Sequence, residues 1–281
     1  RVVPVDGNTI DVRVTYRVDV KRIGFGRDPD FEADIRRVDG RIIVDGTEIP
    51  GGTSFVRFST VEEYVYTIEA PAWVRLELAG DDGDVEIENW QAPIELTLDD
   101  GDVEIAGGDI GMLELRFDDG DISLSDVAGE LSLAGDDGDV LMDLCRFPFA
   151  RIGLEDGDVL MRDCAGELVV TLDDGDVALF DVASERVELR GDDGDVRIDL
   201  PNAGPVDLDV ELDDGDIDVV YAEGLSAEFL VTTDDGRVDV HSDGVRDYAQ
   251  TEHRTSGTIG GGEGRIRIRT DDGDISVRRL G

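Results

Sequence analysis

The sequence predicts an all-β protein: a single-stranded parallel β-helix, or β-solenoid, of about eleven coils of 18–21 residues with an N-terminal β-rich cap. Three observations predict this fold. A short Asp-Asp-Gly-Asp-Val/Ile motif recurs along the chain, apolar residues alternate with charged ones on both sides of it, and two cysteines occupy the same position of adjacent repeats.

The motif recurs at a nearly constant spacing. Its glycines are separated by 18 or 19 residues at first, then twice by 21 and finally by 37. They are Gly83, Gly101, Gly120, Gly138, Gly157, Gly175, Gly194, Gly215, Gly236 and Gly273. A degenerate copy at residues 255–259 lies in the last interval, which brings the expected number of coils to eleven. A period of about 20 residues is typical of solenoids, so consecutive repeats are expected to stack in order.

Apolar alternation predicts two strands in every repeat. Counted from the glycine, position +2 is Val or Ile and position +4 is aliphatic or Met, as in Val103 and Ile105. Positions −7 and −5 are apolar in almost every copy, as in Leu113 and Leu115. A two-residue period indicates a strand with one buried face, so each repeat holds one strand before the glycine and one after it.

Asp-Gly is also the strongest short-range pattern for a β-hairpin, because a type I′ turn needs positive φ. The hairpin alternative would require about twenty antiparallel strands in one meander, more than open sheets usually hold. It would also place aspartates opposite each other across the turn. The corner of a parallel coil uses the same glycine conformation without these costs, so the solenoid is favoured.

The two cysteines, Cys145 and Cys164, are 19 residues apart and both lie at position +7. In a solenoid they would be neighbours at about 4.8 Å, within the Cα separation of about 4.4–6.8 Å that disulfides need. Position +7 also holds Trp90 and Val182, which indicates an inward position. A buried pair of free thiols and a disulfide both remain open, and an oxidising compartment would favour the disulfide.

Residues 1–70 lack the repeat and are interpreted as a β-rich cap or the leading part of the solenoid, whose repeats occupy 71–281. A cap is expected because the end of a solenoid exposes unpaired strand edges. Residues 9–20 alternate cleanly and predict one long strand. Shorter strands are expected at 41–44, 54–58 and 64–69, and residues 39–42 (Asp-Gly-Arg-Ile) suggest another degenerate corner.

The charge of the chain excludes two classes of partner. It has 69 acidic and 26 basic residues, a net charge of −43, and the excess is built into the repeated motif. Such a surface repels nucleic acid and anionic membranes, so direct binding to either is not expected.

The aspartates of the motif suggest a candidate cation ladder. In a solenoid they would stack in columns at about 4.8 Å, where unit charges repel by roughly 1 kcal/mol per pair even in water. Divalent cations with oxygen ligands suit such columns, so calcium is the one cofactor that the sequence suggests. The candidate ligands are Asp82, Asp84, Asp100, Asp102, Asp119, Asp121, Asp137, Asp139, Asp156, Asp158, Asp174, Asp176, Asp193, Asp195, Asp214 and Asp216.

The alternative is that one aspartate caps the turn and the others form a solvated surface with diffusely associated cations. The motif lacks both the Gly-Gly-x-Gly-x-Asp pattern of calcium β-rolls and the spacing of an EF-hand.

An enzymatic site is not expected. The sequence has no nucleophile elbow, Walker loop, zinc spacing or dinucleotide motif. Carbohydrate-active β-helix enzymes use clustered carboxylates, whereas these repeat on every coil, so such an activity is the least favoured alternative. Arg237, which replaces a corner aspartate close to His241, is the only irregularity that hints at a site.

The order of motifs at both ends of the repeat region resembles a known family. The matching segments are Tyr66–Pro71, Val74–Leu78, Asp82–Val85, Gly257–Gly262, Arg265–Thr270 and Asp272–Ile275. Over about residues 60–281 they resemble the exported bacterial β-strand-repeat adhesin family, which has no established activity. The resemblance implies a parallel β-helix in the cell envelope or outside the cell. Arg1 in place of a methionine is consistent with a removed signal peptide or with a shortened chain.

These observations lead us to expect a non-enzymatic envelope or extracellular β-solenoid. It would act as an adhesin or scaffold that presents an acidic face to a cell-surface glycan, the wall or a protein. The alternative is a self-assembling subunit of an extracellular filament or oligomer that grows by strand addition.

Overall fold

The structure, a computed structural model, describes residues 1–23, 30–38, 41–49, 56–241 and 244–280. All regular secondary structure in these ranges is β-strand, which confirms the all-β class. No helix in the described ranges has the length and apolar content needed to span a membrane. Contacts divide the chain into two units, Arg1–Pro71 and Ala72–Gly281.

The first unit is built from a long antiparallel ribbon and a hairpin. Its strands are β1 (Val2–Pro4), β2 (Asp11–Ile23), β3 (Asp30–Val38), β4 (Arg41–Ile49) and β5 (Val56–Ala70). β2 pairs antiparallel with β5, β1 pairs parallel with the end of β5, and β3 pairs antiparallel with β4. The Phe31 ring of the hairpin packs against Tyr16 and Tyr64 of the ribbon, with centroid distances of 5.9 and 5.4 Å.

The long strand predicted at residues 9–20 is present as β2, and the strands predicted at 54–58 and 64–69 fall mostly in the single strand β5. The solenoid corner suggested at residues 39–42 is not supported by the strands that flank it. Asp39 and Gly40 lie outside the described residues, but β3 and β4 on either side pair antiparallel, whereas a solenoid corner joins parallel coils. A capping role for this unit stays a prediction.

The second unit is a parallel β-solenoid of many short strands. Those of its first half are β6 (Leu76–Asp82), β7 (Val85–Glu88), β8 (Ile94–Asp100), β9 (Val103–Asp119), β10 (Ile122–Asp137), β11 (Val140–Asp143), β12 (Arg146–Asp156), β13 (Val159–Arg162), β14 (Ala165–Asp174) and β15 (Val177–Phe180). Those of its second half are β16 (Arg186–Asp193), β17 (Val196–Leu200), β18 (Gly204–Pro205), β19 (Asp207–Asp214), β20 (Ile217–Tyr221), β21 (Leu225–Asp235), β22 (Val238–Val240), β23 (Arg246–Gln250), β24 (Arg254–Ile259), β25 (Gly264–Asp272) and β26 (Ile275–Arg279).

Successive coils, here called rungs and named by their corner glycine, pair parallel and in register. Ile94 lies beside Leu113 and Val103 beside Ile122, so equivalent apolar positions stack in the core. Ile94, Leu96 and Leu98 are 1, 1 and 4% exposed, and the residues between them face outward. The solenoid is therefore confirmed and the hairpin alternative is wrong, because the corners join strands on two faces of one coil.

Glycine is required at the corners for two reasons. Gly157 has a φ of +133°, a region that side chains disfavour. A Cβ atom at Gly157 would also lie 2.2 Å from the carbonyl oxygen of Gly138 in the rung before. The column of corner glycines is therefore a backbone-on-backbone stack.

The last two rungs do not follow sequence order. β19 pairs with β25, and β25 pairs on its other edge with β21. On the opposite face β20 pairs with β26, and β26 pairs with β22. The Gly273 rung therefore lies between the Gly215 rung and the Gly236 rung, and the expectation of strict sequence order is wrong at this end.

The degenerate copy at residues 255–259 does not form a coil. It lies in β24, which pairs antiparallel with β21 and with β23. The glycine column contains Gly83 to Gly215 in sequence order, followed by Gly273 and Gly236. The described column thus has ten corners, and the prediction of an eleventh coil is wrong.

Candidate functional site

Each corner presents acidic residues at positions −2, −1 and +1. The −1 aspartates stack in register, beginning with Asp82 beside Asp100 and Asp100 beside Asp119. The column continues through Asp137, Asp156, Asp174, Asp193, Asp214, Asp272 and Asp235. The predicted columns of carboxylates are therefore present along the whole corner edge.

The +1 aspartates form a hydrogen-bonded series, here called the aspartate ladder. In each case a carboxylate Oδ1 accepts the backbone N–H of the +1 residue in the next rung, at 2.7–3.2 Å. The acceptors are Asp84, Asp102, Asp121, Asp139, Asp158, Asp176, Asp195, Asp216 and Asp274.

The backbone geometry of the corner explains why an aspartate is needed there. The N–H groups of Gly83 and Val85 donate forward to the carbonyls of Asp100 and Asp102 in the next rung. The N–H of Asp102 instead points back to the previous rung, where the carboxylate of Asp84 accepts it. Because an unpaired backbone donor inside a stack is costly, the +1 carboxylate completes the hydrogen bonding of the corner.

The ladder explains Arg237, the one irregular corner. The N–H of Arg237 donates to Asp274 Oδ1 at 2.8 Å, so this residue lies at the last position of the ladder. No described rung lies beyond it, and a carboxylate at this position has no backbone N–H to accept. Arg237 therefore marks the end of the stack, and its replacement of aspartate no longer hints at a catalytic site.

The −2 and −1 carboxylates, here called the acidic ridge, lie outside the ladder. All are exposed except Asp271, which is half-buried. Desolvation and the charges of Asp118 and Asp81 raise the pKa of Asp99. Desolvation and the charges of Asp272 and Asp193 likewise raise the pKa of Asp214. At Asp99 and Asp214 the neighbouring negative charges therefore cause repulsion that a proton or a cation relieves.

The geometry of the columns bears on the predicted calcium ladder. No group of three or more His, Cys, Asp or Glu residues placed to hold one metal ion occurs in the described part of the chain. The columns set carboxylates side by side along a line, and one oxygen of each +1 carboxylate already accepts an N–H, as at Asp84. Calcium binding stays a prediction, and this arrangement favours bridging between neighbours over a closed cage.

Cys145 and Cys164 lie side by side in the core, because the flanking pairs Asp143–Arg162 and Arg146–Ala165 are in register. Both thiols are free and buried. They donate to the carbonyls of Asp143 at 3.4 Å and Arg162 at 3.2 Å. The hydrogen-bonding contact with the Cys164 side chain, in which the Cys145 thiol is the donor, and burial raise the pKa of Cys145. The disulfide stays a prediction, and the protonated Cys145 is a poor nucleophile.

The sequence patterns considered above did not single out β25, a strand rich in arginine. Arg265, Arg267 and Arg269 are exposed on β25, directly beside the acidic side chains of β19. The alternating Arg-Ile-Arg-Ile-Arg pattern is visible in the sequence, and it contrasts with Asp207, Asp209 and Glu211 at the equivalent positions of β19. It could have indicated that this strand needs acidic neighbours.

The comparisons with known proteins assign a family but no activity. The Toastrack DUF4097 family matches residues 74–163 and 150–278, which together include most of the solenoid unit. No curated protein and no solved structure matches the chain. The match confirms a β-strand-repeat family of unknown function, while adhesion and export stay predictions. On the extent of this match, the chain belongs to the Toastrack DUF4097 family.

Proposed function

We propose that the protein is a non-catalytic scaffold or adhesin of the cell envelope or the extracellular space, and that its acidic ridge is the binding face. The proposal rests on the separate roles of the carboxylates at the corners. The aspartate ladder holds the backbone together, as at Asp158 and Asp176. The ridge repeats on each rung outside that ladder and presents its carboxylates to solvent.

The ridge suits cationic groups. Its carboxylates recur at the rung spacing of about 4.8 Å, which is shorter than the Debye length of about 8 Å at physiological salt. Neighbouring charges therefore act together on an approaching cation. We propose calcium as a loosely held counter-ion that bridges adjacent rungs, and a glycan, wall or protein surface with cationic groups or bound calcium as the partner.

The filament alternative is disfavoured at the end of the solenoid that carries the Gly236 rung. β23 and β24 cover the edge of β21 with antiparallel pairing. The Gln250 side-chain amide also donates to the carbonyl of Val238 at 3.3 Å, which occupies part of the edge of β22. Covered edges resist the addition of a further strand.

A charge-matched pair of variants tests the ridge. One variant neutralises three ridge residues by Asp136→Asn, Glu155→Gln and Asp173→Asn. Its control neutralises three exposed acids elsewhere by Glu104→Gln, Glu130→Gln and Glu167→Gln. Calorimetric titration with calcium alone, and separately with an oligolysine peptide, is expected to show weaker binding only for the ridge variant. Equal losses in both variants would leave net charge alone as the cause and refute a binding ridge.

A further inference from the structure

The rung that is last in the sequence fills a slot between two earlier ones. The insertion slot is the space between the Gly215 rung (β19, β20) and the Gly236 rung (β21, β22). β25 pairs with β19 on one edge and with β21 on the other, and β26 pairs with β20 and β22 in the same way. Both walls of the slot precede the Gly273 rung in the chain.

The Gly273 rung joins two walls whose strands do not pair with each other, although β18, which directly precedes β19, pairs parallel with the first two residues of β21. β25 matches seven residues of β19 and eight of β21. Its apolar side chains, Ile266 and Ile268, are 0 and 1% exposed and complete the core between the walls. Without this rung, two rows of backbone donors and acceptors and a strip of core would face solvent.

The outward side chains of β25 are complementary in charge to one wall. Arg265 lies beside Asp207, Arg267 beside Asp209 and Arg269 beside Glu211, so basic residues meet acidic ones at three successive outward positions. The Arg267 guanidinium lies 4.0 Å from Asp209.

A similar contact occurs on the opposite face of the coil, where the Arg278 guanidinium donates two hydrogen bonds to Asp218 at 2.7 and 3.2 Å. The chain has a net charge of −43, so a strand with arginine at alternate positions stands out in it. The acidic wall of the insertion slot is complementary in charge to this strand.

A short linker connects this rung to the strand before it. Residues 260–263 join β24 to β25, and Gly260 and Gly262 adopt positive φ of 59° and 77°. The Ser226 hydroxyl accepts the N–H groups of Gly261 and Glu263 at 3.0 and 3.3 Å. The Arg246 guanidinium also donates to the carbonyl of Gly260. The two glycines of the linker can adapt to a second path.

We propose that the insertion slot is a binding site for an arginine-alternating parallel β-segment, and that a second copy of this chain supplies it by reciprocal exchange of the Gly273 rung. The exchanged dimer makes the same pairings and ion pairs as the monomer, so only the linker and the entropy of association distinguish the two forms. Reciprocal exchange closes on itself and yields a dimer, whereas end-to-end addition would yield a filament.

Disulfide trapping in the full chain tests this proposal. Asp239→Cys with Ser276→Cys places one thiol on β22 and one on β26, at positions in register. The background is Cys145→Ala with Cys164→Ala. After incubation at high protein concentration and oxidation, the cross-linked product is expected to shift from the mass of one chain to the mass of two, and increasingly so with concentration.

The control pair lies where rungs follow sequence order. Leu160→Cys with Ala178→Cys joins β13 to β15 in register and should cross-link only within one chain at every concentration.

A second measurement needs no substitution. Isotopically light and heavy preparations of the unmodified protein are mixed, and native mass spectrometry is expected to find dimers of mixed mass. The proposal would be overturned if the cross-links formed only within single chains, or if no dimer of mixed mass were found at any concentration tested.

Discussion

The corner residues have two distinct roles that the repeated motif does not separate. At position +1, the carboxylate of Asp158 accepts the N–H of Asp176 at 2.8 Å and so belongs to the backbone architecture. At position −1, Asp156 is exposed and belongs to the ridge. Substitutions at the two positions should therefore have different consequences for stability.

Replacing a ladder residue tests this difference. Asp158→Ala leaves the Asp176 N–H without its acceptor. Because this hydrogen bond is exposed, the expected loss of free energy of unfolding is about 0.5–1.5 kcal/mol. Asp158→Asn retains an oxygen acceptor, so it should preserve most of that stability. Asp156→Ala is the matched control and should change stability by no more than about 0.5 kcal/mol. Thermal unfolding followed by circular dichroism provides the comparison, and equal effects of the two alanine variants would contradict the ladder.

The ridge should give a second signature in the pH dependence of stability. The pKa of Asp99 is raised in the folded protein, so the folded state binds more protons than the unfolded state between the two pKa values. The free energy of unfolding contributed by this group therefore falls as pH rises through that window. Asp99→Asn should raise the melting temperature at about pH 7 and leave it unchanged well below the ordinary aspartate pKa of about 3.9. A stabilisation that persists at acid pH would indicate another cause.

Much of the residue-scale chemistry could be predicted from the sequence. The glycine requirement and the stacking of carboxylates follow from a fixed period and a parallel coil. The direction of the Asp102 N–H could not be read, because it depends on the backbone geometry at Gly101. The reason for an arginine at position 237 could not be predicted either, because it depends on which rung is terminal.

At the scale of elements, two-residue alternation predicts the strands well but not their partners. β21 and β25 both precede an Asp-Asp-Gly corner, and nothing in that motif says which of them lies against β19. The outward residues distinguish the two strands, because β25 places arginines beside the acids of β19 and β21 has no arginine at the equivalent positions. The degenerate copy keeps a glycine at the corner position, but Gly257 lies within β24, which pairs antiparallel with β21 instead of forming a coil.

A double-mutant cycle measures the charge complementarity of the inserted rung. Arg278 and Asp218 form a two-bond ion pair, and this contact lowers the pKa of Asp218. Asp218→Asn and Arg278→Gln, singly and together, are expected to show a favourable coupling near neutral pH. Because the pKa of Asp218 is lowered by folding, its stabilising contribution is lost as pH falls through the folded-state value.

The longer Arg267–Asp209 contact, at 4.0 Å with both side chains about half exposed, is the internal comparison and should couple more weakly. No coupling at Arg278–Asp218 would show that the rung is held by backbone pairing and core burial alone. A coupling that persists at acid pH would show that the contact does not depend on the charge of Asp218.

At the scale of the whole molecule, the chain reconciles a net charge of −43 with a parallel stack by segregating its charges. The core contains aliphatic columns, the aspartate ladder satisfies the corner backbone, and the acids of the ridge are presented to solvent. Two arginines of the last rung, Arg267 and Arg278, form ion pairs with acids of the Gly215 rung. The fold class could be predicted from periodicity alone, whereas the order of the final rungs required the spatial pairing of distant segments.

The order of the rungs is the claim on which this account most depends, and paired cysteines test it directly in the Cys145→Ala, Cys164→Ala background. Glu211→Cys with Arg269→Cys joins neighbours in register on β19 and β25. Glu211→Cys with Thr232→Cys spans β19 and β21, two rungs apart, at about twice the rung spacing of 4.8 Å and beyond the reach of a disulfide. The account predicts that the first pair cross-links, within one chain or between two, and that the second does not. Cross-linking of the second pair but not the first would show that the rungs stack in sequence order and would contradict the account.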